Sequence, residues 1–273
     1  MSRELPSSGE PAGGPAPSTL IDIVFPGDTN HHGTLFGGAG LALMDRVAFI
    51  AASRFGRVPF VTASCERVDF RKPARIGEIV EVTAKPISAG RRSLTIEASM
   101  TAETIVGAGR HLCTRGVFHM VAVPDEDRPT DWSLPSLPAG IEDSHRDEVR
   151  MVDIVFADQS NSAGKMFGGE ALAFMTKAAF VAASRRSRTL TVLASSERID
   201  FQRPIAIGEI VEALAKVTKI GTASMAVETE LWSEDPLSGK RHLTARGTFN
   251  MVAVDSDHRP VAVIPRNPEG LRS

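Results

Sequence analysis

Two different hydrophobic periods follow one another along this chain. Positions 41–52 are dominated by alanine, leucine and methionine and contain no proline, which predicts a helix buried on nearly every side. Beyond the helix the period becomes two, because apolar and polar side chains alternate over 80–85 and 93–100 as in half-buried antiparallel strands. A short strand at 21–25 precedes the helix, and the last strand lies at 111–123. The predicted order is strand, helix and four strands, an α+β unit.

The whole pattern occurs twice. Positions 21–129 align with 152–260 without a gap, at a constant displacement of 131 residues, and 51 of the 109 aligned pairs are identical. The second apolar helix is predicted at 172–185. A period this long indicates two complete domains rather than the short units of a solenoid. It also allows an internal comparison, because the fold does not require a polar residue that is present in only one copy.

Changes in composition mark the limits of the two repeats. Positions 1–18 are rich in proline, glycine and serine and have no hydrophobic segment, which predicts a disordered tail rather than a secretory signal. Positions 124–149 hold four prolines and many charges, as is typical of a linker. The predicted domains are therefore two repeats at 19–123 and 150–262, with a C-terminal tail at 263–273.

Composition also narrows the classes of function. A formal net charge of -2 argues against nucleic-acid binding through bulk charge, and no apolar run is long enough for insertion into a membrane. Cys65 and Cys113 align with Ser196 and Thr244, so the thiols do not form a repeated disulfide framework. No cysteine–histidine cluster indicates a metal or cofactor. We therefore expect a cytoplasmic protein in a reducing compartment.

Asp45 is the most informative single residue. Apart from Arg46, it is the only charged residue between Gly37 and Ala52, and a carboxylate on so apolar a helix is costly unless it faces a polar cleft or a partner. The aligned residue in repeat 2 is Thr176, so the fold tolerates a neutral side chain there. Asp45 is either paired with an arginine at the seam between the domains or part of a catalytic site.

Two further features recur in both copies, just before the helix and at its start. Asn30 and Asn161 either hold a turn, since asparagine bonds readily to nearby backbone, or supply a functional amide. The pairs Gly37-Gly38 and Gly168-Gly169 permit close approach of two backbones, and this role is compatible with a second one, in which their N–H groups face developing negative charge. Neither glycine run matches a nucleotide-binding fingerprint.

Other polar residues carry weaker signals. His31 and His32 occur only in repeat 1, without further ligands of suitable spacing, so we expect solvated loop residues rather than a metal site. Ser64 and Ser195 lie on the strand after the helix in both copies, where they could donate hydrogen bonds to the side chains of a site. No nucleophile elbow accompanies them. Basic residues cluster at predicted loop ends, where they favour either a solvated surface or phosphate contacts. They are Arg71, Lys72, Arg91, Arg92 and Arg203.

The spacing of these motifs resembles that of a known family. Asn-x-x-Gly-x-x-Phe-Gly-Gly leads into a helix bearing Met-Asp, and Asp-Phe-x-x-Pro-x-x-x-Gly-Glu follows. This looks like the hotdog-fold acyl-CoA thioesterases, in the branch of brain acyl-CoA hydrolase and its bacterial single-domain relatives. The resemblance covers both repeats. It implies a double hotdog, in which each repeat is a central helix wrapped by an antiparallel sheet, with acyl-CoA as the substrate.

In this family the asparagine of one hotdog works with the acid of the other. The resemblance therefore implies an intact pair of Asp45 and Asn161, whereas the reciprocal pair of Asn30 and Thr176 lacks its acid. Asp45 would be the general base or the nucleophile, and Asn161 would position the water or the carbonyl. The glycine N–H groups would stabilise the oxyanion, and the basic cluster would hold the phosphates of CoA. By the same analogy, three chains would form a homotrimer.

Two other functions stay open. A non-catalytic acyl-CoA sensor would keep the pocket without turnover, although the retained pair of Asp45 and Asn161 argues against it. A hotdog dehydratase of 3-hydroxyacyl thioesters generally needs a histidine and an acid at the seam, and the helix positions carry no histidine. Hydrolysis is therefore the favoured function.

Overall fold

The predicted element order is found in both repeats. The computed structural model describes residues 17–107, 109–123, 131–137 and 148–263. The elements of repeat 1 are β1 (Ser18–Ile23), α1 (Gly37–Gly56), β2 (Phe60–Cys65), β3 (Ile79–Ala89), β4 (Ser93–Glu103) and β5 (Arg110–Ala122). This is one strand, one long helix and four strands, as predicted.

Repeat 2 has the same elements and one additional short strand. They are β6 (Val149–Ile154), α2 (Gly168–Ser187), β7 (Leu190–Ser196), β8 (Asp200–Phe201), β9 (Ile210–Ile220), β10 (Ser224–Glu234) and β11 (Arg241–Val254). The additional strand, β8, pairs with β11 through Phe201 and Ala245.

Each repeat folds its strands into one antiparallel sheet that wraps its helix, so the double-hotdog prediction is confirmed. The strand order is β1-β3-β4-β5-β2 in repeat 1 and β6-β9-β10-β11-β7 in repeat 2. Because side chains alternate across a strand, the apolar positions of β3 and β4 share one face. Val82 opposes Met100 and Ala84 opposes Ala98, and all four are buried in the core that includes α1.

Both helices are longer than the apolar stretches that predict them. They begin at Gly37 and Gly168, about one turn before those stretches. The expectation of burial on nearly every side is wrong for the first turns, because Leu41 is 38% exposed. Asp45 lies one turn further along the same face and is partly exposed. The N-terminal part of α1 is therefore partly exposed to solvent on the face that carries Asp45.

The predicted domain boundaries fall only partly on described residues. Part of the predicted linker, 131–137, packs against repeat 1: Leu134 is buried, and its N–H donates to the carbonyl oxygen of Arg91 at 2.9 Å. Val263 is buried in the core of repeat 2. Most of the predicted tails and linker lies outside the described residues, so the boundaries remain predictions.

The two repeats share apolar cores. Ile50 of α1 packs with strands β6 and β9 of repeat 2 in one buried cluster. In the opposite direction, three isoleucines of repeat 1 belong to the core of repeat 2. These are Ile21, Ile79 and Ile105. Each repeat therefore buries apolar side chains that the other repeat must cover.

Ion pairs cross this seam at the C-terminal ends of the helices. Arg54 of α1 donates to Glu234 at 3.0 Å and to Glu212 at 3.5 Å. Arg57, which ends the helix in the left-handed conformation with φ of 50°, contacts Glu234 at 2.6 Å. The side chains of Glu212 and Glu234 are only 2% and 4% exposed. Their charges would be costly to bury without these arginines.

The reciprocal contacts occur 131 positions along the chain. Arg185 of α2 donates to Glu103 at 2.9 Å and to Glu81 at 2.6 Å, and Arg188 contacts Glu103 at 2.5 Å. Burial by itself would raise the pKa of Glu81, but the charges of Arg185 and Arg110 outweigh it and lower this pKa below its ordinary value. The seam therefore has approximate two-fold symmetry.

A second set of charges crosses the seam nearer the middle of each helix. Arg46 contacts Asp153 at 3.2 Å, and its counterpart Lys177 contacts Asp22 at 2.5 Å. Burial raises the pKa of Asp153 above its ordinary value, because the charges of Arg46 and Lys177 offset the lost hydration only in part. In this turn of α1, Arg46 is thus the residue that pairs across the seam.

We expect Arg54→Ala to lower the free energy of unfolding by about 3 kcal/mol, because it removes a partner from the buried carboxylates of Glu212 and Glu234. Arg246→Ala removes an exposed pair with Glu230 and should cost less than about 1 kcal/mol. Urea denaturation at neutral pH, followed by circular dichroism, measures both. Equal losses in the two variants would contradict a stabilising role for the seam pairs.

Candidate functional site

Asp45 accepts a short hydrogen bond from the strand that follows its helix. The Oγ1 hydroxyl of Thr62 in β2 donates to Oδ1 of Asp45 at 2.7 Å. Within the part of the chain that the structure describes, no arginine, lysine or histidine forms an ion pair with Asp45. The interpretation of Asp45 as an arginine-paired seam residue is therefore wrong, because Arg46 takes that role. Asp45 is thus a partly exposed carboxylate that no cation of the described ranges neutralises.

The sequence pattern did not predict a role for Thr62. The register between β2 and β5 shifts between Thr62 and Ser64, and such a bulge changes the direction of strand side chains. The residue aligned with Thr62 in repeat 2 is Leu193, so this hydroxyl, like Asp45, occurs in only one copy. That difference between the repeats is the signal that could have identified it.

Asn30 and Asn161 hold the same turn but differ in what their amides contact. In both, the side-chain oxygen accepts N–H groups from residues two and four positions further on, so each holds a turn. The Nδ2 amide of Asn30 also donates to Oγ1 of Thr34 at 3.0 Å. Lys165 replaces this threonine in repeat 2. The amide of Asn161 has no hydrogen-bond acceptor among residues 17–107, 109–123, 131–137 and 148–263.

The reciprocal site, formed by Asn30 of repeat 1 and Thr176 of repeat 2, has no acid at the position of Asp45. The Oγ1 hydroxyl of Thr176 donates to the carbonyl oxygen of Leu172 in its own helix at 2.7 Å, so it is directed at the helix backbone. Asp45 and Asn161 make no hydrogen bond to each other in the described structure, and no described cation pairs with Asp45. The two residues are therefore both available to a third group.

Asn161 lines a cavity of about 380 Å³ at the start of α2. Two cations, Lys165 and Arg203, also line it, and no aspartate or glutamate does. Arg203 was a candidate from the sequence, whereas no sequence signal indicated Lys165. A mostly apolar cavity of this size with a few polar groups is typical of a small-molecule site. Its apolar walls include Met166, Phe201 and Ile205.

The glycine pairs at the helix starts have different surroundings. No side chain caps either helix, so the first N–H groups are left open. A Cβ on Gly38 or Gly169 would lie 2.5 or 3.0 Å from the ring of the phenylalanine two positions earlier, so that exposed ring would have to shift to admit a side chain. A Cβ on Gly168 would meet nothing within 4 Å, and this residue lines the cavity. Gly168 therefore has open space beside its Cα atom at the cavity wall, whereas Gly37 lies near the ring of Phe70.

The histidine and serine candidates do not join either proposed catalytic residue. His31 and His32 are exposed, with ring centroids 3.9 Å apart. Searching the described residues finds no group of three or more histidines, cysteines or acids that could hold a metal. Ser64 is exposed in β2, and Ser195 accepts a hydrogen bond from Nδ2 of Asn250 at 3.1 Å.

The five basic candidates belong to three separate loops. Arg71 and Lys72 are exposed between β2 and β3. Arg91 and Arg92 lie in the turn between β3 and β4, where their carbonyl oxygens accept backbone bonds. Arg203 lines the cavity beside Asn161. The structure therefore brings one of the five to the cavity.

One histidine–acid pair was also missed. Nε2 of His119 lies 3.0 Å from Oε1 of Glu66, and Nδ1 lies 3.3 Å from Oγ1 of Thr95. His119 is in β5, and the aligned residue in repeat 2 is Asn250. The pair lies on the sheet and its edge rather than on a helix.

The negative charge of Asp45 contributes to a raised pKa of Cys65. This thiol lies at the end of β2, and its pKa is raised above the ordinary value by partial burial and by the negative charges of Asp45 and Glu66. Asp45 is therefore close enough to oppose formation of the thiolate.

Known proteins share this architecture. A family model described as the thioesterase superfamily matches residues 32–108 and 163–240, once in each repeat. The crystal structure of an acyl-CoA hydrolase from Agrobacterium tumefaciens is 66% identical, with a TM-score of 0.85 over 91% of this chain and 98% of that chain.

Curated relatives have related names. An uncharacterised acyl-CoA thioester hydrolase of Zymomonas mobilis is 31% identical over 144 residues, which are 53% of this chain and 92% of that protein. Acyl-coenzyme A thioesterase 11 of Mus musculus is 22% identical over 312 residues, which are 97% of this chain. The match spans about half of the mouse protein, 52% of its length.

We expect Asp45→Asn to lower the pKa of Cys65, because it removes one of the negative charges that disfavour the thiolate. The rate of alkylation by iodoacetamide as a function of pH, measured in a Cys113→Ser background, reports this pKa. Asp69→Asn is the matched control, since this exposed acid does not act on Cys65. An unchanged pH profile in Asp45→Asn would contradict the placement of the carboxylate beside β2.

Proposed function

The chain belongs to the thioesterase superfamily, and from this membership we infer that it hydrolyses acyl-CoA thioesters to CoA and the free acid. Similarity to the Agrobacterium acyl-CoA hydrolase over nearly the full length of both chains supports this function. One observation carries the assignment of the site: Asp45, on an apolar helix, has no counter-ion among the described residues and is held by the hydroxyl of Thr62.

We propose that Asp45 acts on the thioester from repeat 1 while repeat 2 stabilises the charge that forms. In the general-base route, a water oxygen attacks the carbonyl carbon and Asp45 accepts a proton from the water. The Asn161 amide and the open N–H group of Gly168 stabilise the resulting oxyanion. The C–S bond then breaks, and the CoA thiolate takes the proton from Asp45. Thr62 holds Oδ1, which leaves Oδ2 to the water.

The covalent route uses the same carboxylate. Asp45 attacks the carbonyl carbon, CoA leaves as the thiolate, and water hydrolyses the mixed anhydride that remains. Mass spectrometry of acid-quenched enzyme distinguishes the routes. An acyl adduct on the peptide that contains Asp45 indicates the anhydride, and its absence during turnover indicates the general base.

We propose one competent site per chain. Asp45 and Thr62 occur in repeat 1 alone, and the other seam carries Thr176 and Leu193 instead. The side-chain amide of Asn161 donates to no acceptor in the part of the chain that the structure describes, unlike that of Asn30. The combination of Asp45 with Asn161 is therefore the one that offers both an acid and an available amide.

An acyl-CoA sensor and a hotdog dehydratase are separated from a thioesterase by one set of assays. Release of free thiol from acyl-CoA indicates hydrolysis, and binding without release indicates a sensor. Loss of water from a 3-hydroxyacyl-CoA indicates a dehydratase. His119 and Glu66 are the single histidine–acid ion pair among the described residues, but they lie away from the helix positions that the dehydratase interpretation requires.

For the phosphates of CoA, the candidates remain Arg71, Lys72, Arg91 and Arg92, and no contact in the described structure selects among these four. The fifth basic residue, Arg203, lines the cavity beside Asn161 instead. We also propose a cytoplasmic location, in line with relatives named as cytosolic acyl-CoA thioester hydrolases. Among the described residues, neither helix combines the length and the apolar character that crossing a membrane requires.

We propose that three chains assemble into a homotrimer of double hotdogs. The edge strands β2 and β7 expose apolar side chains: Val61 is 52% exposed, Leu190 44% and Leu193 45%. Unpaired sheet edges with exposed apolar residues are normally covered, and a second copy of the chain provides such cover.

We expect Asp45→Asn to abolish acyl-CoA hydrolysis, because it removes the base or nucleophile while keeping the size of the side chain. Asn161→Ala should lower turnover about a hundredfold, the scale seen when one polar transition-state contact is deleted. Thr62→Val should lower turnover about tenfold, because the carboxylate loses the hydroxyl that orients it. Release of CoA thiol, followed with a thiol-reactive dye, measures each rate.

The second seam supplies the matched controls. Asn30→Ala and Thr176→Ala should change turnover far less, since their shared seam has no acid. Thr176→Asp adds an acid there and should create weak activity in an Asp45→Asn background. Equal damage from Asn30→Ala and Asn161→Ala, or an active Asp45→Asn variant, would sink the one-site proposal.

We expect light scattering to give three times the chain mass of 29.2 kDa. Leu193→Lys and Val61→Lys should dissociate the trimer, because each places a charge on an edge that assembly would bury. A lysine at exposed Val106, away from these edge strands, is the control. A wild-type particle with the mass of a single chain would remove the trimer proposal.

A further inference from the structure

Two cations face the cavity beside Asn161 without an acidic partner. Lys165 and Arg203 line it, and its lining contains no carboxylate. Neither side chain forms an ion pair with any described residue, whereas the arginines of the seam are paired. Two like charges at one small space repel each other unless an anion binds between them. The cavity is therefore complementary to an anion.

Lys165 is not a requirement of the fold. The aligned residue in repeat 1 is Thr34, in a loop held by the same asparagine turn. Both residues form the same backbone bridge, Thr34 with Arg75 and Lys165 with Ala206. In repeat 1 the basic residue of this bridge is Arg75, which lies in the segment that pairs with the asparagine loop. Only in repeat 2 does the basic residue belong to the loop that carries Asn161.

The position of Asn161 decides which part of a substrate can supply the anion. The proposed function places the thioester carbonyl at this amide, and a cavity of about 380 Å³ holds only part of an acyl-CoA molecule. The whole pantetheine arm separates the sulfur of CoA from its nearest phosphate. A phosphate therefore falls outside a cavity whose wall the carbonyl already touches. An anion that reaches Lys165 from that point belongs to the acyl group.

We propose that Lys165 and Arg203 bind a carboxylate at the far end of a short acyl chain, so that the preferred substrates are CoA thioesters of dicarboxylic acids. This inference rests on the proposed thioesterase function and deepens it by naming the acyl group. Arg203 can bind both oxygens of a carboxylate, and Lys165 adds a compact charge. Met166 and Ile205 provide apolar contacts for the methylene groups between the thioester and the carboxylate.

A matched pair of substrates tests the proposal. Glutaryl-CoA and pentanoyl-CoA have acyl chains of the same carbon number and differ in the terminal carboxylate. We expect kcat/KM of the wild type to be about tenfold or more higher for glutaryl-CoA, since a pocket with polar partners discriminates strongly against a substrate that lacks the matching group. Lys165→Met and Arg203→Met should each remove most of this preference, mainly through a higher KM for glutaryl-CoA.

Lys216→Met is the control variant, because this exposed lysine of β9 does not line the cavity, and it should keep the wild-type preference. Thermal unfolding of each variant shows whether a loss of activity is a loss of folding, and Arg203→Met replaces Lys165→Met if the latter is unfolded.

An equal rise of KM for both substrates would assign the cations to a phosphate of CoA and overturn the carboxylate proposal. Unchanged kinetics would overturn it as well. If the wild type hydrolyses pentanoyl-CoA without preferring glutaryl-CoA, the inference fails while the thioesterase function stands. If it hydrolyses no acyl-CoA, both fail.

Discussion

Two buried carboxylates bind the repeats into one structure. The side chains of Glu103 and Glu234 are 6% and 4% exposed, and among the described residues each finds its arginine partners only on the other repeat. An ionised carboxylate that is buried without a partner destabilises a protein by several kcal/mol. A single repeat therefore could not keep these glutamates both charged and buried. The seam is a condition of the fold rather than a contact between two independent domains.

The same ion pairs fix the helices that carry the chemistry. Arg54 and Arg185 stand near the C-terminal ends of α1 and α2, so their contacts anchor each helix to the sheet of the other repeat. Ile50 adds an apolar anchor between them. Because a helix is a stiff element, anchoring one end also limits where its other end lies. The position of Asp45 on α1 relative to repeat 2 thus depends on charges more than two turns away.

The seam is symmetric, whereas the chemistry proposed for it is not. Residues that the fold needs twice are present twice, as with Arg54 and Arg185. The fold does not require Asp45 or Thr62. Thr176 and Leu193 occupy the aligned positions in repeat 2, which has the same architecture. Duplication allows this difference, because packing constrains the residues that both repeats share. One repeat can therefore keep a reactive carboxylate that the other repeat has lost.

The sequence by itself determined the two repeats, the element order and the unusual status of Asp45. These features rest on periodicity and on comparison of aligned positions, which are local properties of the chain. It also identified both turn asparagines, but not that, of these two amides, that of Asn161 finds no acceptor among the described residues. Only the tertiary structure decided the partner of Asp45, the arginines of the buried glutamates and the meeting of Lys165 with Arg203 at one cavity. Each of these depends on which distant segments approach one another and which way their side chains point, as at the bulge of β2 that carries Thr62, and no local pattern encodes that distance or direction.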